Sequence, residues 1–334
     1  MAVSATPAVD AVLVRWGERL FYPRLRIVKP DPTPRLGVLT RRKAVLIRNR
    51  IEAVVVRHAP EVVVKVAGGG RGMRAIADQF DYISRDGTLD VEDDRGEHFV
   101  GREALRDLAV LWRYGCSTIE EVSHRREALN VTLSMPRGTD PELVLQAARA
   151  FARTELADYR YVMVLHDKQA NPHVHLAVRM QSRSGERIDA WPERHRWRET
   201  FAAQLRSLGV DAEATSQALR GANRKPESAW RRKAREDAEP LARSEPRKSG
   251  ERYYRNRGDA MLAWAQIMSA LAGSAAPEDR ELAWRVGEFI RQTPFIREVA
   301  ATRKRPGATL EREPRDISPS RGSGLTRTEP DLER

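Results

Sequence analysis

Residues 161–180 read YVMVLHDKQANPHVHLAVRM, two apolar runs at 161–165 and 173–180 around a short polar loop that contains Asn171–Pro172. Runs of this length, bounded by turn residues, are strands. On a strand alternate side chains share a face, so His173 and His175 present two imidazoles to one side while Val174 packs on the other. His166 ends the first strand, and the turn can bring it back beside the pair. Three of the chain's seven histidines thus fall within ten residues. Neutral imidazoles grouped this way, with positions left over for oxygen ligands, suit a divalent cation that polarises a phosphoryl oxygen. Imidazole favours zinc or nickel over magnesium, so the spacing indicates a cation without naming it. The plain alternative is a row of solvated or hydrogen-bonded histidines along a strand edge.

Working outward, Ala128–Met135 alternates as a strand, Pro136–Gly138 ends it, and Asp140–Pro141 opens a helix to about 157. Upstream, EVVVKVAGGGRGMRAIADQFDYIS at 61–84 reads as strand, glycine turn and helix, with Tyr82 near the helix end or just beyond it. Helices are expected from near Gly101 and at 118–127, then from Trp191 to Leu208, closed by Gly209, and at 258–273 and 278–292, where Trp264, Trp284 and Phe289 offer an apolar face. The apolar runs of residues 1–60 fit a helix or a pair of strands. The divisions that follow are a basic N-terminal extension (1–60), a nuclease-like domain (61–220), a basic linker (221–257), a small helical segment (258–300) and a disordered tail (301–334).

Composition narrows the partners. The chain has 334 residues, 59 Lys and Arg against 47 Asp and Glu, and a net charge of +12, which suits a polyanion as well as plain solubility. Residues 1–74 hold 15 basic and 5 acidic groups, whereas residues 75–130 hold 7 and 13. One surface for a phosphate backbone and another for protons or a cation would account for that asymmetry. The lone Cys116 excludes an internal disulfide and a Cys-x-x-Cys zinc site, and fits a reducing compartment. No apolar run approaches the roughly 20 residues of a membrane span, and no signal-peptide pattern opens the chain. Glycine-rich nucleotide fingerprints, phosphate loops and HExxH helices are absent too. Gly68–Gly70 reads as a flexible turn, with backbone amides approaching a phosphate as the alternative. Tyr82 alone would be a packing residue; as a nucleophile its phenol, with a reference pKa of about 10, must lose its proton. Tyr114, Tyr159, Tyr161, Tyr253 and Tyr254 remain open candidates by the same chemistry.

Three segments in order, VVKVAGGGRGMRAIADQFDYISRDG at 63–87, ALNVTLSMPRGTD at 128–140 and YVMVLHDKQANPHVHLAVRM at 161–180, resemble the relaxase or mobilization nuclease family of plasmid-mobilising and T-DNA border nucleases. The likeness spans about 62–225, with 201–221 a softer match. It implies an α/β (α+β) fold, a central antiparallel sheet flanked by helices, of the single-tyrosine HUH type. It implies Tyr82 as nucleophile and His166, His173 and His175 as ligands of a divalent metal, Mg2+ or Mn2+. An acidic residue orienting one ligand histidine would be Asp167 or Glu127, and Arg71, Arg74, Arg85 and Lys168 would contact DNA. The implied activity is nicking of single-stranded DNA at a transfer origin through a 5′-phosphotyrosine that can be religated, for conjugative mobilisation. Accessory relaxosome proteins and a type IV coupling protein would be partners, in the bacterial cytoplasm, with translocation alongside the DNA. A related single-strand transposase, a replication initiator, or a non-catalytic DNA-binding scaffold are the rival readings. Two departures stand out: a long stretch precedes the tyrosine motif, and no second tyrosine adjoins Tyr82, which disfavours the paired-tyrosine branch.

Overall fold

The computed structural model describes residues 7–22, 38–115, 117–168, 171–222 and 250–303. Most of the linker expected at 221–257, the tail after 303 and Cys116 lie outside them. The histidine segment forms the strands expected of it, β5 (Tyr161–His166) and β6 (His173–Arg179), paired antiparallel with His166 opposite His173. They join β1 (Val63–Ala67), β2 (Val91–Asp93), β3 (His98–Phe99) and β4 (Ala128–Ser134) in a six-stranded antiparallel sheet of order β1-β4-β6-β5-β2-β3. The β2–β3 hairpin falls in a stretch whose acidic residues conceal its alternation. The fold is α/β, a central antiparallel sheet flanked by helices.

Alternation along the strands sends apolar side chains to both faces. One face carries Val64, Val131, Leu133, Val174, Leu176 and Val178, buried under α5 (Pro141–Glu155) and α6 (Ala190–Ser207). Asp140 caps α5 by accepting from the Glu142 amide at 2.9 Å, with Pro141 in the first turn, as the Asp-Pro pair predicts. The other face carries Ala128, Val162, Val164 and Ala177 under Ile76, Phe80 and Ile83 of α3 (Met73–Ser84) and Leu105, Leu108 and Trp112 of α4 (Arg102–Tyr114). Toward one end this second face turns polar, and the histidines lie there.

The expected helix at 118–127 does not form, because its backbone serves α3 instead: the Glu120 and Glu121 carbonyls accept from the Met73 and Arg74 amides. Those amides are therefore not available to a phosphate. Gly68–Gly70 is a close backbone crossing, since a Cβ on Gly69 would lie 1.7 Å from the Ala128 carbonyl oxygen.

Residues 1–60 are not a separate basic arm where they are described. They form α1 (Pro7–Phe21) and α2 (Val38–Val55), which pack with α7 (Glu251–Ala272) and α8 (Pro277–Gln292) into a helical layer; a last helix, α9, spans Pro294–Arg303. The helix expected from 258 thus begins at Glu251. Leu13, Phe21, Ile47, Ile51, Trp264 and Ile267 supply the apolar contacts. Two of the layer's arginines are committed inside it: Arg48 pairs with Asp10 and Asp279, and buried Arg50 pairs with Glu199 of α6 and with Glu213 while its guanidinium lies over the Phe21 and Tyr22 rings. Arg50 therefore fastens the layer to the sheet domain. Arg50→Ala would leave buried Glu213 with only the more distant Arg206, at 3.8 Å, and should cost about 3 kcal/mol, the lower end for breaking a buried pair. The urea midpoint should fall accordingly, and a loss under about 1 kcal/mol would show that the layer is held by other contacts.

Candidate metal centre and tyrosine site

Strand register assembles the cluster. His173 and His175 lie two residues apart on one face of β6, and β5 pairing sets His166 beside His173. The three ring centroids are 4.7 to 5.0 Å apart, and one ligand nitrogen from each lies within 4.8 Å of the other two.

The remaining nitrogens are anchored. His166 Nε2 lies 2.7 Å from the Ile83 carbonyl, which can only accept, so Nε2 carries the hydrogen and Nδ1 is a lone pair. That Nδ1 is buried and has no hydrogen-bond partner. His173 Nδ1 donates likewise to the Asn171 carbonyl at 2.9 Å, leaving Nε2 as its lone-pair nitrogen. His175 Nδ1 lies 3.4 Å from Thr132 Oγ1, its direct neighbour across the β4–β6 ladder. Imidazoles fixed through one nitrogen and converging through the other are the arrangement of metal ligands, and a buried, unsatisfied lone pair is otherwise costly. The residues present fit a divalent cation.

Charge favours the neutral, ligating form. Burial lowers the His166 pKa against the opposing Ile83 hydrogen bond, with His173 and Arg85 lowering it further. Burial, followed by His166, His173 and Lys65, pushes His175 down to about 3.

Tyr82 stands over this cluster. It sits in the last turn of α3, 64% exposed, with its ring edge-on to His175 at 6.1 Å. The helix stops two residues later in a left-handed turn, Arg85 at φ 52° and Asp86 at φ 58°, pinned by Ser84 Oγ, which donates to the Phe80 carbonyl and accepts from the Gly87 amide. Because α3 ends there, the polar end of the sheet face is left open. Among the other tyrosines, Tyr161 is buried with its pKa raised by burial, and Tyr253 and Tyr254 pack against each other and Phe295.

Neither acidic residue orients a ligand. Glu127 precedes β4 at the end that pairs with Arg179, five residues from Thr132, or about 17 Å along a strand; its carboxylate binds Arg125, Arg187 and Ser123 instead. Asp167 is exposed, and the nitrogen it would orient is already engaged by Ile83. A carbonyl and Thr132 fill that role, and the signal for Thr132 was its position in the ALNVTLS alternation. Arg71, Arg74, Arg85 and Lys168 are all exposed. Arg85 adjoins the site, whereas Arg74 lies eight residues before Tyr82, about 12 Å along the helix. Lys168 lines a cleft of about 480 Å3 with Arg137, Thr139, Asp167 and Pro172, next to His166 and His173 in sequence. Arg137 escaped the sequence reading because its segment served there only as a strand terminator.

Comparison with known proteins points the same way. Residues 110–210 match the relaxase family model described as the MobA/VirD2-like nuclease domain. The matched segment contains β4, β5, β6 and all three histidines; Tyr82 lies before it. The chain is 24% identical over 188 residues to the T-DNA border endonuclease VirD2 of Rhizobium radiobacter, covering 50% of this chain and 44% of that protein. It is 23% identical over 205 residues to VirD2 of Agrobacterium fabrum (strain C58 / ATCC 33970), covering 54% and 46%. The chain thus spans less than half the length of these relatives.

The histidine electrostatics give a test in the metal-free protein. The unfolded chain takes up protons near the ordinary histidine value of about 6.5, whereas folded His175 does so only near 3. The stability that the neutral His175 ring permits is therefore present above about pH 6.5 and lost progressively as pH falls toward 3. The NMR signals of His175 should stay those of a neutral ring at pH 5; an imidazolium signal there would contradict the site's electrostatics.

Proposed function

We propose that the chain is a metal-dependent relaxase-type nuclease that nicks single-stranded DNA with Tyr82. The observation that carries this reading is the meeting of an exposed tyrosine with three converging imidazoles. His166, His173 and His175 would hold the cation, whose chemistry when bound is to neutralise charge on a nonbridging phosphate oxygen. Mg2+ or Mn2+ is the proposed cation.

Tyr82 performs the covalent step. Its phenol loses a proton to solvent, the Oη–P bond forms, the bond from phosphorus to the 3′ oxygen breaks, and that oxygen takes up a proton. The 5′ phosphate remains esterified to the tyrosine, so the reverse reaction reseals the strand without ATP. Exposure of Tyr82 lets a strand reach it, and the turn at 84–87 fixes its approach. Arg85 and the Arg137–Lys168 cleft supply cations for phosphates on either side. The proposed substrate is a transfer origin in conjugative mobilisation. Relaxosome proteins and a type IV coupling protein would be partners in the bacterial cytoplasm, the protein travelling with its DNA.

With Mn2+ and end-labelled single-stranded oligonucleotides from a cognate origin, the wild-type protein should form a covalent adduct that mass spectrometry maps to Tyr82. Tyr82→Phe should bind DNA and metal yet form none, while an adduct at another tyrosine would refute the nucleophile. His173→Ala and His175→Ala should each weaken Mn2+ binding at least about tenfold and abolish nicking, with most DNA affinity kept because it is spread over many basic groups. Unchanged Mn2+ affinity in both would refute the metal centre.

A further inference from the structure

The cluster has a neighbour on its open side. Lys65 pairs with Thr132, and Thr132 with His175, so the three side chains stand abreast on one sheet face across β1, β4 and β6. Two strand spacings separate Lys65 from His175, about 10 Å, and a lysine stem spans roughly 6 Å of that. Lys65 is exposed, and among the described residues it forms no ion pair, unlike the many arginines already paired with carboxylates.

A lysine on an edge strand also discourages strand addition, and β1 is such an edge. That role is served from either face. It does not account for a lysine on the same sheet face and in the same row as the histidines, where a further positive charge opposes cation binding unless an anion is shared between the two.

We propose that Lys65 is a substrate-contacting residue, its ammonium placed from the β1 side on the same DNA phosphate that the histidine cluster receives. The proposal rests on the nuclease reading above. Lys65 would hold a nonbridging oxygen, stabilising the charge that develops in the transition state.

The test compares the full-length protein with Lys65→Met, which keeps the stem and removes the charge, and Lys65→Arg, which restores a cation. Three quantities are measured: Mn2+ affinity, oligonucleotide affinity in Mn2+, and nicking rate at saturating DNA. Lys65→Met should nick at least about tenfold more slowly at saturation, with Mn2+ affinity unchanged or tighter, and Lys65→Arg should recover most of the rate. A Lys65→Met rate within twofold of wild type overturns the proposal, whatever happens to DNA affinity. Mn2+ binding weakened in step with the rate also overturns it, since Lys65 would then be a prop for the histidines. Should the wild-type protein nick nothing, the nuclease reading fails and the binding arm decides the lysine. An oligonucleotide affinity in Mn2+ at least tenfold lower in Lys65→Met then supports the phosphate contact, and equal affinity refutes it.

Discussion

The hydrogen bond from His166 Nε2 to the Ile83 carbonyl, 2.7 Å long and buried, joins the two halves of the site. It fixes the tautomer of His166, which turns Nδ1 into the cluster as a lone pair. It also binds the end of the tyrosine helix to the sheet, because Ile83 follows Tyr82 directly. A carbonyl can serve here because α3 is ending: the carbonyls of its last turn have no intrahelical donor. One of these orphan acceptors is spent on orienting a ligand histidine. Termination of α3, tautomer choice and placement of Tyr82 are thus a single structural event.

Around that bond the fold divides its labour by strand register. The sheet face under α3 and α4 is apolar through Ala128, Val162, Val164 and Ala177, and becomes polar at Thr132, His173, His175 and His166, where the helix stops covering it. The opposite face stays apolar throughout under α5 and α6, so the rows carrying the histidines are held rigidly from behind. Antiparallel pairing does the rest, since a slip of one residue would turn His173 and His175 into the α5–α6 core. Imidazoles buried there would displace apolar side chains such as Leu133, Val174 and Leu176, and the register is correspondingly strict.

The sequence made legible what depends on short-range pattern. Alternation on 128–134, 161–166 and 173–179 gave the three strands that matter, and the i, i+2 spacing put His173 and His175 on one face. The strand, turn and helix leading to Tyr82 were readable as well, whereas the close approach of Gly69 to the Ala128 carbonyl, read as a flexible turn, was not. Long-range pairings were not. The helix expected at 118–127 is lost because its carbonyls cap α3, a tertiary demand that local propensity does not express. Residues 1–60 appeared as a basic arm because charge counting cannot distinguish a solvated arginine from Arg50, which is buried between Glu199 and Glu213. Glu127 was a reasonable carboxylate by proximity in sequence and fails only because the strand runs away from the cluster. The groups that do meet these rings are the Ile83 carbonyl, which carries no sequence signature, and Thr132, whose one signal is its place in the strand alternation.

The central claim is that His166, His173 and His175 form one metal centre beneath Tyr82. Crystals soaked in Mn2+ and measured at the manganese absorption edge test it without reference to any substrate. One strong anomalous peak should lie among His166 Nδ1 and the Nε2 atoms of His173 and His175, within coordination distance of all three. Diffraction from a well-ordered cluster with no peak there, or with manganese held by carboxylates elsewhere, would contradict it.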